Sequence, residues 1–324
     1  MITANELALK CKVSRGTVDR ALKGRKGINI QTRDRILKAA EKYGYRPNFI
    51  GQALSSGKTM TIGILLFDFK HSFFAELYSA FEQEARRFDY VTFPMLTYQN
   101  TANEKESINC LMSRNIDAII ILPVNYGHDF ESLLKSLKIP VLCIGNRLSE
   151  NFPFVGIDDF EACFDAVTHL TKSEYRNIYY YCPPIINKNN NNNYAQEKRL
   201  AGYKDGILKN NISGDVVTDC NILINKLKSS KTDSAVLCSN DFYALNLQIL
   251  LRDNYPDLYK KVKIMGFDGL DELRFSNPFI DSVDYPKNEI AIKAFAQIYK
   301  MISGKKGESV IIDHKIIQKS IGAN

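Results

Sequence analysis

The sequence predicts an α/β protein in three parts: a small three-helix unit at the N-terminus, a hinge, and two doubly wound α/β lobes. The chain has 324 residues, of which 45% are hydrophobic and 24% charged, and this composition is typical of two or three globular domains. Beyond residue 60, short apolar runs alternate with amphipathic stretches, which indicates parallel strands with crossover helices. We expect the three-helix unit to span residues 1–46, the hinge 47–58 and the two lobes 59–324.

Positive charge is concentrated at the N-terminus. Residues 1–60 contain 13 Lys and Arg but only 4 Asp and Glu, a net charge of +9, whereas the whole chain carries +7. The remaining 264 residues therefore have a net charge of −2. A basic module joined to a near-neutral domain is the electrostatic pattern of a protein that binds a polyanion such as DNA.

Two short helices open the N-terminal unit. Thr3 followed by Glu6 fits a capping box, in which each side chain satisfies a free backbone N–H at a helix start. This first helix is expected to end near Cys11, and Ser14 is a suitable N-cap for a second helix that runs through Leu22. The two helices are thus joined by a tight turn.

A third helix completes the unit. Thr32 is expected to cap it, and Gly44 and Pro47 are expected to stop it. Its apolar residues recur at helical spacing: Ile36, Leu37, Ala40 and Tyr43. Three helices of this size can share one small core.

This arrangement predicts a helix-turn-helix unit, which places the N-terminal part of its second helix in the major groove of DNA. The predicted DNA contacts in this helix are Ser14, Arg15, Gly16, Thr17 and Arg20. Any pair of short amphipathic helices beside a basic loop can mimic the pattern, so spacing alone leaves that alternative open.

The remainder of the chain predicts two parallel sheets. Strands are expected in the first lobe at Thr61–Phe67, Tyr90–Leu96, Ala118–Pro123 and Val141–Ile144, and in the second at Asn177–Cys182, Asp215–Thr218, Ser234–Cys238 and Lys263–Phe267. We expect the first lobe to hold residues 59–158 and 286–312, and the second 159–285 and 313–324. In such sheets a ligand crevice lies at the C-terminal ends of the strands.

Other features argue against catalysis. The seven cysteines are scattered and never spaced as a metal or redox motif, so we expect reduced thiols and neither a metal nor a cofactor. No P-loop, nucleophile elbow or histidine-rich metal spacing is present. His71 is interpreted as a loop residue and Asp159 as structural, and the five asparagines Asn189–Asn193 are expected to form a surface loop without a chemical role.

Three strings in the N-terminal unit, at Val13–Leu22, Thr32–Ile36 and Tyr43–Asn48, together resemble the headpieces of the lactose-repressor/galactose-repressor (LacI/GalR) family. The resemblance implies that the hinge forms a helix on operator DNA and that Leu54 wedges into the minor groove. It adds Asn48 and Leu54 to the predicted DNA contacts.

Some positions depart from the family pattern. Gly16 stands where relatives have a larger polar side chain, and Asp19 replaces a frequent serine, so base preferences are not transferred from a relative. Gly51 replaces a frequent alanine and disfavours a helix by about 1 kcal/mol, which suggests that the free hinge is disordered. A plain interdomain linker is the alternative for residues 47–58.

The lobes resemble type I periplasmic sugar-binding folds, especially ribose-binding ones. The strings that carry this resemblance are Asp117–Val124, Gly145–Arg147, Arg199–Tyr203, Ser239–Asp241 and Gly266–Gly269. The residues that it implies for effector binding are Phe73 and Phe74 as an aromatic wall, with Asn146, Arg147, Arg199, Asn240, Asp268 and Tyr285. Asn146 replaces a frequent aspartate and Tyr285 a frequent glutamine, so the hydroxyl pattern that is read should differ from that of ribose.

Together these features predict a cytoplasmic transcription regulator, with repression favoured over activation. We expect it to bind double-stranded operator DNA as a homodimer and not to associate with a membrane. The effector is expected to be a monosaccharide or a related polyol. The strongest alternative is a periplasmic solute-binding protein, but the first twenty residues carry Lys10, Lys12 and Arg15 where an export signal has an apolar stretch. The effector's identity, the direction of its effect and the operator sequence stay open.

Overall fold

The computed structural model describes residues 2–22, 24–46, 53, 57–182, 191–230 and 232–318. The chain divides into two compact units, Met1–Thr59 and Met60–Asn324. The predicted DNA contacts Asn48 and Leu54 lie outside the described residues, so their roles stay predictions. Within the described ranges, no helix has both the length and the apolar character needed to cross a membrane.

Between residues 2 and 46, the described part of the first unit contains the helices α1 (Ala4–Lys10), α2 (Arg15–Leu22) and α3 (Ile30–Lys42). Both predicted caps at its start are confirmed. The backbone N–H of Glu6 donates to Thr3 Oγ1 at 3.2 Å, and that of Thr3 donates to Glu6 Oε2 at 2.7 Å. The N–H of Thr17 donates to Ser14 Oγ at 3.1 Å, so Ser14 caps α2.

The start predicted for the third helix is wrong. Helix α3 begins three residues earlier, because Asn29 and not Thr32 is its cap: Asn29 Oδ1 accepts from the N–H of Gln31 at 2.9 Å. Leu37 and Tyr43, expected in the core, are 41% and 37% exposed. The core that the three helices share is small and consists of Leu7, Ala8, Cys11, Val18, Ala21, Ile36 and Ala40.

The second unit contains two six-stranded sheets, one in each lobe. The first sheet has the order β11-β5-β4-β3-β1-β2, and all its pairings are parallel. Its strands are β1 (Thr61–Leu66), β2 (Val91–Leu96), β3 (Ala118–Ile121), β4 (Val141–Ile144), β5 (Phe154–Ile157) and β11 (Val310–Ile312). Strand β1 is buried along nearly its whole length, as expected for a sheet covered on both faces.

The second sheet has the order β12-β10-β9-β8-β6-β7, and among the pairings of its described residues only β10–β12 is antiparallel. Its strands are β6 (Asn177–Tyr181), β7 (Val216–Val217), β8 (Ser234–Cys238), β9 (Lys263–Asp268), β10 (Asp281–Asp284) and β12 (Lys315–Ile317). Like the first sheet, it is covered by helices that follow its strands.

The helices of the first lobe are α4 (Ser72–Arg86), α5 (Thr101–Met112), α6 (His128–Ser136) and α12 (Lys287–Ile302). Those of the second are α7 (Asp159–Lys172), α8 (Tyr194–Lys209), α9 (Cys220–Ser229), α10 (Asp241–Asn254) and α11 (Pro256–Tyr259). A 3-10 helix follows at Asp271–Phe275. The chain passes between the lobes after β5, after β10 and between β11 and β12.

All eight predicted strands occur, most of them with ends shifted by one or two residues, but the sequence pattern missed β5, β10, β11 and β12. Strand β10 was missed because it reads Asp-Ser-Val-Asp, although it is buried at its first three positions. The Asp281 carboxylate lies 2.9 Å from Lys263 Nζ and 3.3 Å from His169 Nε2. A paired carboxylate can be buried in a sheet, and its polarity hides the strand from a hydrophobic pattern.

Candidate functional site

A cavity of about 540 Å³ lies between the lobes, at the carboxyl ends of the strands of both sheets. It brings together seven of the eight residues expected to bind the effector: Phe73, Phe74, Asn146, Arg199, Asn240, Asp268 and Tyr285. Phe73, Phe74 and Asn146 come from the first lobe, and Arg199, Asn240 and Asp268 from the second. Contacts to one ligand can therefore come from both lobes.

The charged part of the cavity is a buried network around Arg199. Its Nε donates to Asp159 Oδ1 at 2.7 Å, its Nη1 donates to the Ser239 carbonyl at 2.8 Å, and the same nitrogen lies 3.6 Å from Asp268 Oδ1. Burial would lower the pKa of Arg199, but the two carboxylates raise it above its usual value. The guanidinium therefore stays charged, with that charge balanced by its neighbours. As expected, Asp159 has a structural role.

Helix α8 can place Arg199 in this network because Gly202 lets it approach α7 closely. A Cβ at Gly202 would collide with the backbone carbonyl of Phe160. Arg199 lies one turn earlier on the same helix face, since residues three apart are neighbours on a helix. The close approach thus brings the guanidinium to Asp159 at the start of α7.

Asp268 has an unusual backbone. Its φ is +114°, outside the range that a residue with a side chain normally adopts. Lys287 holds this segment, because its Nζ donates to the carbonyls of Asp268 and Gly269 at 3.1 and 3.0 Å while pairing with Glu76 Oε2 at 3.1 Å. Burial raises the pKa of Asp268 to about 7, although Arg199 and Lys287 oppose the shift. Strain and a raised pKa at a cavity wall are features of functional sites.

Aromatic rings form the wall of the first lobe. Phe73 and Phe74 lie in the first turn of α4, with ring centroids 5.2 Å apart and an angle of 78° between the rings. Phe73 also meets Tyr285 edge to face at 5.1 Å. Such a wall offers apolar surface to the C–H face of a sugar ring.

The side chains of three predicted contacts bond to other groups of the protein. Arg147 is not among the described residues that line the cavity; its Nη2 donates to Glu150 Oε2 at 3.0 Å instead. Asn146 lines the cavity, but its side-chain amide donates to the carbonyls of Pro123 and Asn192 at 3.3 and 2.9 Å. Asn240 lines it too, and its Oδ1 caps α10 by accepting from the N–H of Tyr243 at 2.9 Å.

Sequence reasoning missed several lining residues. His71, interpreted as a loop residue, has its ring 5.5 Å from Phe74 and 5.9 Å from Phe242 of the other lobe, and both its ring nitrogens are buried without a partner in the described chain. Burial lowers the pKa of His71, so its neutral form is favoured.

The expectation that the asparagine run forms a surface loop without a role is wrong for its last three residues, Asn191–Asn193, which line the cavity. Their position after β6 was the signal, because every other loop that follows a central strand also reaches this edge.

The second candidate site is the exposed start of α2 in the first unit. Ser14, Arg15, Gly16 and Arg20 are exposed, and Thr17 is half-buried. Arg20 Nε donates to the Gly16 carbonyl at 3.2 Å. Val18 of the same helix is buried in the core, so the helix has one face inward and its basic face free for a partner.

Metal-site geometry is not seen in the described part of the chain, where no group of three or more His, Cys, Asp or Glu could hold an ion. All seven cysteines are free, and five of them are buried. Burial raises the pKa of Cys143 to about 12, which keeps its thiol protonated.

Two family models match the chain. "Bacterial regulatory proteins, lacI family" matches residues 3–48, and "Periplasmic binding proteins and sugar binding domain of LacI family" matches residues 59–320. The HTH-type transcriptional regulator RegA of Clostridium acetobutylicum is 29% identical over 97% of both chains.

Solved structures share the fold. The lac repressor dimer bound to operator and the anti-inducer ONPF aligns over 98% of both chains with a TM-score of 0.80 and 15% identity. A periplasmic binding protein/LacI transcriptional regulator from Alkaliphilus metalliredigens, complexed with D-xylulofuranose, covers 80% of this chain and 97% of its own, with a TM-score of 0.69 and 21% identity. This chain belongs to the LacI family of DNA-binding transcription regulators with a sugar-binding domain.

Proposed function

We propose that the protein represses transcription by binding, as a homodimer, a two-fold symmetric double-stranded operator, and that a monosaccharide or related polyol in the cavity controls this binding. The observation that carries the proposal is that one chain contains two different candidate sites. An exposed basic helix start stands in the first unit, and a polar, aromatic-walled cavity lies between lobes in the second. Such a regulator acts in the cytoplasm, by binding rather than by catalysis.

A dimer follows from the size of the reading unit. One helix-turn-helix module buries too little surface for specific binding, and pairs of modules read half-sites related by two-fold symmetry. In each module we assign base and backbone contacts to Ser14, Arg15, Gly16, Thr17 and Arg20.

The effector assignment rests on complementary chemistry. Charge-assisted hydrogen bonds from Arg199 and Asp268 suit vicinal hydroxyls, and Phe73 and Phe74 suit the C–H face of a sugar ring. An effector that touches both lobes binds their closed arrangement more tightly than the open one, and only this difference in affinity can shift the conformational equilibrium.

An electrophoretic mobility shift with the DNA upstream of the protein's own gene tests the proposal. Full-length protein should bind this DNA, with an affinity that falls steeply as salt rises because phosphate contacts release counterions. Arg20→Ala should weaken the shift, whereas Lys305→Ala, which removes an exposed charge from the second unit, should not. Equal shifts for the promoter fragment and for random DNA would contradict sequence-specific regulation.

The hinge contact is tested by the same measurement. Leu54→Ala should weaken operator binding by about 1–3 kcal/mol and leave nonspecific binding nearly unchanged, because only a kinked operator receives a wedge. Equal losses on both DNAs would make residues 47–58 a plain linker.

A further inference from the structure

A short segment of the second lobe lines the cavity and is hydrogen bonded to the first lobe. Asn191 and Asn192 lie just before α8, which packs against α7 and β6 of the second lobe. The N–H of Asn192 donates to the Val124 carbonyl at 2.7 Å, and Asn191 Nδ2 donates to the Gln99 carbonyl at 2.8 Å. Val124 and Gln99 follow β3 and β2 of the first lobe. The segment therefore joins the two lobes.

Asn146 of the first lobe ties this segment at two more points. Its Nδ2 donates to the Asn192 carbonyl at 2.9 Å, and its Oδ1 accepts from the N–H of Ala195 at 3.1 Å. That N–H lies in the first turn of α8, where a helix cannot satisfy its own donors. Asn192 Nδ2 in turn donates to the Arg147 carbonyl at 3.1 Å. A carboxamide suits position 146 because it donates and accepts at once, whereas an aspartate carboxylate only accepts.

The point of attachment on the first lobe is itself held in place. Glu104 of α5 is fully buried, and its carboxylate accepts from the backbone N–H groups of Val124 and Asn125 at 2.8 and 2.7 Å. These bonds fix the loop whose Val124 carbonyl accepts from Asn192. The acceptor of this interlobe bond is thus held in a fixed position by α5.

Two side-chain oxygens of the segment remain available to a ligand. Asn191 Oδ1 and Gln196 Oε1 are buried, have no hydrogen-bond partner among the described residues, and belong to residues that line the cavity. A buried acceptor without a partner is unfavourable, and a hydroxyl or amine of a ligand would supply the missing donor. Arg199 also lines the cavity, but its positive charge is neutralised by the carboxylates of Asp159 and Asp268. An anionic ligand would therefore gain little electrostatic attraction from it.

We propose that Asn191–Gln196 is an interlobe strap that determines effector specificity: Asn146 and Asn192 position it, and Asn191 and Gln196 accept hydrogen bonds from hydroxyl or amine groups of the effector. Ligand bonds to the strap stabilise it in place and so favour closed lobes, which couples recognition to conformation. The recognition step rests on the proposed function, because it requires the effector to occupy this cavity. The existence of the strap does not depend on the proposed function.

Hydrogen exchange by mass spectrometry on the ligand-free, full-length protein tests the strap. In the wild type, peptides that cover residues 191–197 should exchange at least tenfold more slowly than an unstructured chain, and Asn146→Ala should remove this protection. Asn146→Asp, which keeps the acceptor for Ala195, should show an intermediate rate. Asn210→Ala is the matched control, since that amide bonds only within the second lobe, to Thr168 and Gly206.

Unprotected exchange of these peptides in the wild type, or equal rates in the wild type and Asn146→Ala, would overturn the strap. Unchanged exchange in peptides from β8 shows that a variant is folded. If Asn146→Ala does not fold, the strap is tested by comparing the exchange rates of the same peptides in the wild type and in Asn146→Asp. Equal rates in these two proteins would then overturn the strap.

Ligand recognition is tested with a panel of pentoses, hexoses and cyclitols, each paired with its amino and phosphorylated analogue where one exists. The probe is the panel member that most raises the melting temperature of the wild type. Its Kd should rise about tenfold in Asn191→Ala and Gln196→Ala and stay unchanged in Asn210→Ala. Wild-type Kd values in both variants, or a phosphorylated probe that binds tightest, would overturn the recognition step. Failure of every panel member would overturn the proposed function instead, while hydrogen exchange still decides the strap.

Discussion

The two units of the protein place their functional polar groups in opposite environments. In the first unit Arg15 and Arg20 are exposed, and stability comes from a separate core of seven apolar residues. In the second unit Arg199 is 6% exposed and forms part of the interior as well as the cavity wall. Residues that we assign to DNA contacts can thus change without loss of the fold, whereas Arg199 lines the cavity and also belongs to the buried interior.

Replacement of Arg199 should destabilise the second unit, and we expect it to have the largest effect on the free energy of unfolding. Arg199→Ala leaves the carboxylates of Asp159 and Asp268 buried without their partner, which typically costs about 3–5 kcal/mol. Urea denaturation of the full-length protein, followed by far-UV circular dichroism, measures this loss. Lys209→Ala is the control on the same helix, since its pair with Asp205 is exposed and contributes at most about 0.5 kcal/mol. Equal losses in the two variants would show that the Arg199 network is not a structural element.

The pH dependence of stability should reveal the buried carboxyl of Asp268. Because its pKa in the folded state, about 7, is above the ordinary value of 3.8, the folded protein binds the proton more tightly than the unfolded chain. Stability from this group is fully present below about pH 4 and is lost as the pH rises through about 7. Asp268→Asn should therefore flatten the decline in unfolding free energy between pH 4 and pH 7, measured by urea denaturation at several pH values.

Asp281 provides the contrast for that experiment. Burial would raise its pKa, but hydrogen bonds from His169 and Lys263 lower it below the ordinary value. Its contribution is present above about pH 4 and is lost as the pH falls through the lowered value. Asp281→Asn should thus change stability at the acid end and leave the decline between pH 4 and pH 7 in place. If either variant changed the unfolding free energy equally at the acid end and between pH 4 and pH 7, Asp281 and Asp268 would not titrate separately.

In the first unit, loss of a helix cap should have a moderate effect. Ser14→Ala removes the acceptor for the N–H of Thr17 and should destabilise the unit by about 1 kcal/mol. Ser14→Asp keeps an acceptor and should retain the stability. Hydrogen exchange of peptides over residues 14–22 measures the difference; faster exchange in both variants would show that the hydroxyl acts by another route.

The smallest effect on stability is expected for the exposed arginine that begins α2. Arg15→Ala should change the unfolding free energy by no more than about 0.5 kcal/mol, as is usual for surface substitutions. The same variant should weaken operator binding in a mobility shift, because the guanidinium is assigned a DNA contact. A large loss of stability would contradict the separation between reading surface and core in this unit.

By itself the sequence determined the local structure and the class of the protein. Caps at Thr3 and Ser14, helical periodicity, and apolar runs such as Thr61–Leu66 depend on near neighbours, and near neighbours are visible in the chain. The concentration of +9 within sixty residues likewise required no tertiary information. Strings of residues that occur at fixed spacing then indicated the family.

Only the tertiary structure decided which polar groups are available in the cavity and which are hydrogen bonded within the protein. Asn146 and Asn240 line the cavity as expected, yet their side-chain amides bond to other groups of the protein, and Arg147, expected at the cavity, pairs with Glu150 instead. The asparagine run has no hydrophobic pattern, so its interlobe bonds could not be predicted. A hydrogen-bond partner as far away as Gln99 is from Asn191, 92 residues along the chain, depends on how the two lobes pack together, and no local sequence pattern contains that information.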